Sequence, residues 1–309
     1  MQERNKNGDK TLEEGKPSQT AFMVAVHRAH HYLTAPEPKI LRDSLALPLS
    51  GAGSEAAIQA YMDAIEARFT ELSDAETSQI FVRRIVDSVC MRSRVVEECL
   101  AASLSRGMQQ VVVLGAGLDS TAYRCTDLIK GLDVFEVDHP ATQAWKRQRL
   151  ADANIEIPEN VRFVSYDFEN QTLAEALRAG GVEADKMTFF TWLGVHMYLT
   201  DAAVKSTFAV MGDYPKGSEM VMDFISPDYV DTGGLVENSV DYLAKVVTEM
   251  GEPIKSRYFE AELEDMLLAS GFGRVEFLSA RALIDRYLDG KNAAFDMPDE
   301  ATSILTARV

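Results

Sequence analysis

The sequence predicts an α/β fold in which a mostly parallel sheet carries helices on both faces and a helical lid precedes it. Residues 18–106 have helical periodicity and no strand pattern. Short apolar runs rich in β-branched residues then alternate with helical stretches as far as residue 225. A glycine turn, Gly115-Ala116-Gly117, follows the first of those runs. A strand, a glycine turn and a helix in this order hold a nucleotide-like cofactor in an open α/β sheet.

The helical lid is predicted to contain four helices and one short element. The first helix ends before Pro36 and Pro38, which break helical structure. The predicted helices are residues 18–33, 54–69, 75–89 and 93–105, and the short element begins at Asp43. We expect residues 18–106 to pack over the sheet and the polar residues 1–17 to be disordered.

The alternating region predicts five parallel strands joined by helices, and Pro140 suits the first turn of one of them. The predicted strands are residues 111–114, 133–137, 161–166, 187–192 and 219–225, and the predicted helices between them are residues 121–129, 140–152, 172–179 and 201–211. A further helix over residues 258–269 and strands over 274–279 and 303–307 complete a domain of residues 107–309. We expect residues 226–257 to form an insertion on the substrate side.

Composition argues against several classes of function. The formal net charge of −17 at pH 7 is unfavourable for binding nucleic acid or an anionic membrane. Three cysteines, Cys90, Cys99 and Cys125, have the spacing of neither a zinc site nor a disulfide framework. No segment has the pattern of a signal peptide or a transmembrane helix. We therefore expect a cytoplasmic protein with no bound metal and no nucleic-acid or membrane partner, and composition leaves its oligomeric state open.

The residues that follow the first two strands leave two cofactors open. Ser120 stands where the dinucleotide-binding pattern Gly-x-Gly-x-x-Gly has its third glycine. The second strand ends in Glu136-Val137-Asp138, where an acid can accept hydrogen bonds from ribose hydroxyls. Strand alternation places Glu136 and Asp138 on the same side. NAD and S-adenosylmethionine both carry such a ribose, but S-adenosylmethionine lacks the pyrophosphate and needs a cation for its carboxylate.

Residues 115–124, together with Phe135-Glu136-Val137-Asp138-His139-Pro140, resemble the leucine carboxyl methyltransferase family, which includes bacterial polyketide O-methyltransferases of the tetracenomycin type. The resemblance extends to Met91-Arg92-Ser93-Arg94 and to residues 194–199, and it covers most of the chain from about residue 19 to 280. It implies a Rossmann-like sheet of the class I methyltransferase type. It also implies S-adenosylmethionine as the cofactor and O-methyl transfer as the reaction.

The resemblance implies cofactor contacts for residues on the methionyl side. Arg92 matches the arginine that pairs with the methionyl carboxylate, for which a planar guanidinium is well suited. Gly115, Ala116 and Gly117 match the turn beside the methionyl group and the sulfonium. Leu193 ends the fourth strand at the position where the family has a glutamate near the cofactor, and this difference motivates one alternative function below.

The same resemblance implies contacts on the adenosine side. Asp138 matches the ribose-binding acid, and Glu136 lies beside it on the same strand. Asp167 and Phe168 match residues around the adenine, where a carboxylate receives the exocyclic amine and an apolar ring forms a wall.

The acceptor is predicted to be a carboxylate or a phenolic hydroxyl of a small natural product or of a peptide C-terminus. A carboxylate is already ionised, whereas a phenol, with a solution pKa of about 10, gains from a histidine acting as a general base. His196, after the fourth strand, is the first candidate for that base or for an acceptor-orienting group. Arg28, His31 and Tyr198 are candidate substrate contacts. Two alternatives stay open: a non-catalytic binding or scaffold protein with this fold, and an NAD-type oxidoreductase.

Overall fold

The computed structural model describes residues 18–70, 74–166, 171–227, 239–288 and 303–309. Within these residues, one sheet is formed by β1 (Gln110–Leu114), β2 (Asp133–Asp138), β3 (Val161–Ser165), β4 (Thr188–Trp192), β5 (Glu219–Phe224), β6 (Arg274–Leu278) and β7 (Ser303–Arg308). The strand order is β3-β2-β1-β4-β5-β7-β6. The first five strands pair in parallel, and β7 pairs antiparallel with both β5 and β6. The predicted mostly parallel, Rossmann-like sheet is confirmed.

Helices precede the sheet and connect its strands. They are α1 (Gln19–Thr34), α2 (Ala46–Ser50), α3 (Glu55–Thr70), α4 (Ala75–Leu104), α5 (Thr121–Arg124), α6 (Pro140–Asp152), α7 (Leu173–Ala179), α8 (Asp201–Gly212), α9 (Ser239–Glu249), α10 (Glu260–Ala269) and α11 (Ala280–Leu288). A single 3-10 turn, His196–Tyr198, follows β4. The predicted N-terminal helices are therefore present. The predicted domain boundaries stay a prediction, and residues 1–17 lie outside the described residues.

The long helix α4 corrects one prediction. Its 30 residues form one helix where the sequence pattern predicts two. The residues at the expected break, Cys90, Met91 and Arg92, include no proline or glycine, so the backbone hydrogen bonds continue through them. Arg92 is therefore held by a rigid helix, which fixes where its side chain can reach.

The apolar residues of the central strands explain why the sheet is covered on both sides. On one face, Val111 and Val113 of β1 pack with Val96 and Leu100 of α4. On the other face, Val112 belongs to a second cluster that includes residues of α7, α8 and α10. A central parallel strand that is buried on both faces reads as a continuous apolar run, as β1 does. No helix among the described residues is long and apolar enough to cross a membrane.

Strand order places one crevice at the carboxyl edge of the sheet. The chain leaves β1 toward β2 on one side and leaves β4 toward β5 on the other. In open α/β sheets, ligands bind at such a reversal of strand order, outside the carboxyl ends of the strands. The glycine turn after β1 and the segment after β4 both lie at this edge.

Candidate functional site

The glycine turn has a backbone conformation that requires glycine. Gly115 has φ of +66° and Gly117 has φ of +43°, in the left-handed region that side chains disfavour. A Cβ on Gly115 would lie 2.2 Å from Val195 Cγ2, and a Cβ on Gly117 would lie 3.1 Å from Ala21 Cβ. Because Ala21 belongs to α1, the start of the helical lid lies against this turn.

Asp138 lies at the end of β2, directly beside the glycine turn. Its Oδ2 accepts a hydrogen bond from the N–H of Gly117 at 2.5 Å, and its Oδ1 accepts one from the N–H of His139 at 2.6 Å. Desolvation raises the pKa of Asp138, although both N–H groups favour the charged form. A carboxylate can accept about four hydrogen bonds, so Asp138 retains capacity for ligand hydroxyls.

Arg92 reaches the same edge of the sheet from the middle of α4. Its Nη1 donates to Asp223 Oδ2 at 2.5 Å, and Asp223 Oδ1 accepts from the N–H of Gly194 at 2.6 Å. The side chain of Asp223 is 1 % exposed and that of Arg92 is 13 % exposed. Sequence reasoning missed Asp223, although a buried acid near the carboxyl end of an apolar central strand was an available signal.

Arg28 anchors the glycine turn to the lid, and its predicted substrate contact stays a prediction. Its Nη2 donates to Leu118 O at 2.6 Å, and its Nη1 donates to Asp43 Oδ2 at 2.9 Å and to Ser120 Oγ at 3.2 Å. Ser120 Oγ donates to the same Asp43 oxygen at 2.7 Å. Buried partners therefore hold both Nη atoms of the guanidinium, whereas its Nε has no hydrogen-bond partner among the described residues. The network also gives a structural role to the hydroxyl of Ser120, which stands where dinucleotide-binding folds have a third glycine.

His31 is also enclosed by protein groups, and its predicted substrate contact stays a prediction. Its Nε2 accepts from the N–H of Leu41 at 3.4 Å, and its Nδ1 lies 3.6 Å from Asp87 Oδ1. Since both ring nitrogens face residues of the lid, His31 connects α1 to α4.

The N-terminus of α1 is held by Glu252, which follows α9. The Glu252 carboxylate accepts hydrogen bonds from Ser18 Oγ at 3.0 Å, from Gln19 N at 2.9 Å and from the Thr20 hydroxyl. A negative charge is favourable at a helix N-terminus. Burial and the Glu252 charge raise the pKa of Tyr198, while a hydrogen bond with Thr20 opposes the shift. Tyr198 therefore lies where the lid, the insertion and the segment after β4 meet, and its substrate contact stays a prediction.

Glu136 belongs to the buried interior of the fold, and its predicted cofactor contact stays a prediction. Its Oε2 lies 2.8 Å from Lys146 Nζ and accepts a hydrogen bond from the Tyr123 hydroxyl at 2.9 Å. Burial raises the pKa of Glu136, and the Lys146 charge opposes the shift. The carboxylate therefore balances a buried ammonium group, which also lies 3.5 Å from Ala116 O in the glycine turn.

Replacing Lys146 with methionine is expected to reduce the free energy of unfolding by about 3 kcal/mol, because Glu136 is left as a buried charge without its cation. The double variant Lys146→Met/Glu136→Leu is expected to recover most of that loss, since it removes both charges. Urea unfolding of the two variants measures the difference. Equal stabilities of the single and double variants would contradict the pairing.

His27, on α1, lies close to the Arg92 side of the buried ion pair. Its side chain is 2 % exposed, and among the described residues its Nδ1 has no hydrogen-bond partner. Burial lowers the pKa of His27 to about 3, with further contributions from His30 and Arg92. The imidazole is therefore uncharged at neutral pH. His30 and His31 follow on the same helix, and the sequence pattern does not single out His27 among them.

His196, the predicted candidate base, lies on the Asp223 side of the same pair. It is fully buried, and neither ring nitrogen has a hydrogen-bond partner in the described part of the chain. The rings of Trp192 and Tyr258 flank it, each with its centroid 6.2 Å away. Burial lowers the pKa of His196 to about 4, and the Asp223 charge opposes the shift.

These two histidines predict a loss of stability in acid. Because their pKa values of about 3 and about 4 lie below the usual 6.5, the unfolded chain binds more protons between those limits. The free energy of unfolding therefore falls as pH decreases below 6.5, by roughly 1.4 kcal/mol per pH unit for each histidine. In His27→Gln, the slope between pH 6 and pH 4.5 is expected to be smaller than in the wild type. An unchanged slope would show that His27 is protonated in the folded state.

The remaining predicted cofactor contacts are Leu193, which the structure describes, and Asp167 and Phe168, which lie outside the described residues. Leu193 packs against the apolar cluster on the α4 side of the sheet and lines a cavity of about 20 Å³ together with Ser93 and Thr191. A cavity of that volume accommodates about one water molecule. Asp167 and Phe168 lie outside the described residues, so the adenine contacts stay a prediction.

Comparison with known proteins gives the family. Residues 21–212 match the leucine carboxyl methyltransferase family. The chain belongs to this family. It is 36% identical over 201 residues to Bacillus subtilis (strain 168) YktD, which is named as an S-adenosyl-L-methionine-dependent methyltransferase, and the match covers 65% of this chain and 66% of that protein. A similarly named protein of Mycolicibacterium gilvum (strain PYR-GCK) is 31% identical, covering 70% and 68%. The alignment thus spans just under two thirds of YktD.

Solved structures support the fold of the family member. A structure named as a methyltransferase from Thermobifida fusca YX matches with a TM-score of 0.54 and 16% identity, covering 96% of both chains. A DUF574 family protein from Streptomyces avermitilis MA-4680 matches with a TM-score of 0.50 and 16% identity, covering 78% of this chain and 95% of that one. The predicted family is confirmed, whereas the tetracenomycin-type branch stays a prediction.

Both curated relatives are named for dependence on S-adenosyl-L-methionine, and the residues at the carboxyl edge of this chain fit that cofactor. The described hydrogen bonds of Arg92 use Nη1 alone, so other guanidinium N–H groups remain for the methionyl carboxylate. Gly115 and Gly117 add no side chains of their own to the turn, and Asp138 retains acceptor capacity for ribose hydroxyls. Arg92 and Asp138 lie on either side of the turn, as the two ends of the cofactor require.

Proposed function

We propose that this protein is an S-adenosylmethionine-dependent O-methyltransferase that acts on a carboxylate or a phenolic hydroxyl of a small natural product or of a peptide C-terminus. The observation that carries the proposal is the convergence of three groups at one edge of the sheet. These are the Arg92–Asp223 pair, the Gly115–Gly117 turn and Asp138. Family membership supports methyl transfer as the reaction, and the histidines His27 and His196 favour an oxygen atom as the methyl acceptor.

The described residues serve mainly to hold and enclose the reactants. When bound, S-adenosylmethionine supplies a methyl group on a positively charged sulfur, which a nucleophile attacks in line. Asp138 and Arg92 fix the two ends of the cofactor, and the glycine turn lets the backbone approach its centre. The lid helix α1 lies against the turn through Ala21 and is held there by Arg28 and by Glu252. Fixed orientation and exclusion of water are the main contributions we assign to the fold.

The two buried imidazoles favour a hydroxyl acceptor over a carboxylate. His27 lies near Arg92 and His196 lies near Asp223, and burial keeps both uncharged. A neutral imidazole can accept a hydrogen bond from a phenol and assist removal of its proton, whereas a carboxylate has no proton to lose. We assign this acceptor-orienting role to His27 as well as to His196.

Transfer of a labelled methyl group tests the proposed function. The wild type is incubated with methyl-labelled S-adenosylmethionine and a matched panel of phenols, carboxylic acids, peptides and amines. Mild alkali then releases methanol from methyl esters and leaves methyl ethers intact. We expect label on phenolic oxygen, stable to alkali, and reduced transfer in His27→Gln. Label confined to amines would contradict an oxygen acceptor, and cofactor binding without transfer to any member would favour the scaffold alternative.

A further inference from the structure

The Arg92–Asp223 pair places two opposite charges next to each other at the cofactor edge. Arg92 Nη1 lies 2.5 Å from Asp223 Oδ2. The pair is also fixed to the turn after β4, because Gly194 donates its N–H to Asp223 and has φ of +67°. A Cβ on Gly194 would lie 3.1 Å from both Nη atoms of Arg92. The guanidinium is therefore packed on the Gly194 backbone, and both charges have a defined position.

Stabilisation of the fold does not by itself explain why a buried ion pair is present at this position. Taking two charges out of water costs about as much as their attraction returns, and apolar replacements of buried pairs are often neutral or stabilising. The two groups also differ in access, since Asp223 is almost fully buried while Arg92 keeps some exposure. Their position at the carboxyl edge, next to the glycine turn, indicates a ligand that needs both charges.

We propose that Asp223 binds the ammonium group at the α-amino-acid end of the cofactor, beside Arg92, to which the family resemblance assigns the carboxylate. The inference rests on S-adenosylmethionine as the cofactor and is independent of the acceptor proposed above. Asp223 is thus a cofactor-binding residue in addition to its contact with Arg92.

Both side chains retain hydrogen-bonding capacity for this role. The described contacts of Asp223 occupy one position on each carboxylate oxygen, and a carboxylate can accept about four hydrogen bonds. The nearby imidazoles of His27 and His196 are uncharged, so they do not compete with the cofactor for either charge. An α-amino acid presents a carboxylate and an ammonium group on one carbon, which matches two adjacent opposite charges.

Three ligands separate the contributions by isothermal titration. S-adenosylhomocysteine has both charged groups, its decarboxylated analogue has the ammonium alone, and 5′-methylthioadenosine has neither. The wild type is expected to bind the decarboxylated analogue more tightly than 5′-methylthioadenosine by roughly tenfold or more, because a charge-assisted hydrogen bond is gained. Equal wild-type affinities for these two ligands would overturn the proposal without reference to any variant.

Variants then show which side chain binds the ammonium group of the ligand and which binds its carboxylate. Asp223→Asn is expected to weaken both ammonium-containing ligands by roughly tenfold to a hundredfold and to leave 5′-methylthioadenosine unchanged. Arg92→Gln is expected to weaken S-adenosylhomocysteine and to spare the decarboxylated analogue. Glu219→Gln, which removes a charge paired with Arg106 at the opposite end of β5, is the matched control and should change none of the three. If Asp223→Asn weakens S-adenosylhomocysteine alone, or all three ligands equally, Asp223 does not bind the ammonium group.

Discussion

Replacing Arg28 with alanine is expected to lower the free energy of unfolding by about 4 kcal/mol, the largest effect on stability that we predict. The change leaves Asp43 buried without its closest cation, and it removes the hydrogen bond to Leu118 O. Arg124 lies 3.6 Å from Asp43 and compensates only partly, because it also pairs with Glu97. The loss should be accompanied by weaker binding of S-adenosylhomocysteine, since Leu118 belongs to the loop that continues from the glycine turn.

Arg42→Ala is the matched control for this prediction. Arg42 forms an ion pair with Glu37, but both side chains are largely exposed. Removing an exposed pair is expected to change stability by about 1 kcal/mol or less. Guanidinium chloride unfolding gives both values from the shift in midpoint at constant slope. Similar losses in Arg28→Ala and Arg42→Ala would show that the buried network does not hold the lid to the turn.

Replacing Asp138 with alanine is expected to raise the dissociation constant of S-adenosylhomocysteine by roughly tenfold to a hundredfold, because charge-assisted hydrogen bonds to ribose hydroxyls are lost. The variant also leaves the N–H groups of Gly117 and His139 without the carboxylate to which they donate in the wild type. Since burial raises the pKa of Asp138, wild-type affinity should fall as pH decreases through that raised value and the carboxylate takes up a proton.

Asp133→Ala is the control for Asp138, because Asp133 begins the same strand at the opposite edge of the sheet. Asp133 pairs there with Lys186 and Arg162, away from the glycine turn. Its replacement should leave the affinity for S-adenosylhomocysteine unchanged. Equal affinities of Asp138→Ala and Asp133→Ala would show that the acid at the end of β2 does not contact the cofactor.

Much of the fold could be predicted because its signals are local. The apolar run of β1, the two glycines and Asp138 occupy a continuous stretch, so the strand, the turn and the cofactor side follow from neighbouring residues. The predicted extent of α4 was wrong because residues 90–92 were treated as a break, although they include no proline or glycine. The place of β7 between β5 and β6 could not be predicted, since no local pattern specifies which distant strands an antiparallel strand joins.

The candidate site was predicted in part for a related reason. Arg92 was found by resemblance, but its partner Asp223 lies 131 residues further along the chain. Arg28 was predicted as a substrate contact, and the sequence does not show that its guanidinium bonds to Asp43 and Ser120. Glu136 lies on the same strand as Asp138, yet Lys146 of the following helix takes its carboxylate. Local patterns identify charged residues, whereas long-range packing decides which of them remain available to a ligand.

Titration of the wild-type protein with S-adenosylmethionine and S-adenosylhomocysteine tests the central claim most directly, because the site is defined by its fit to this cofactor. We expect saturable binding of both ligands by isothermal titration, with one site per chain. We also expect 5′-methylthioadenosine, which lacks the α-amino-acid end, to bind more weakly than S-adenosylhomocysteine. Absence of binding of both cofactor forms at millimolar concentration would contradict the assignment of the Gly115–Gly117 turn, Arg92 and Asp138 to a methyl-donor site.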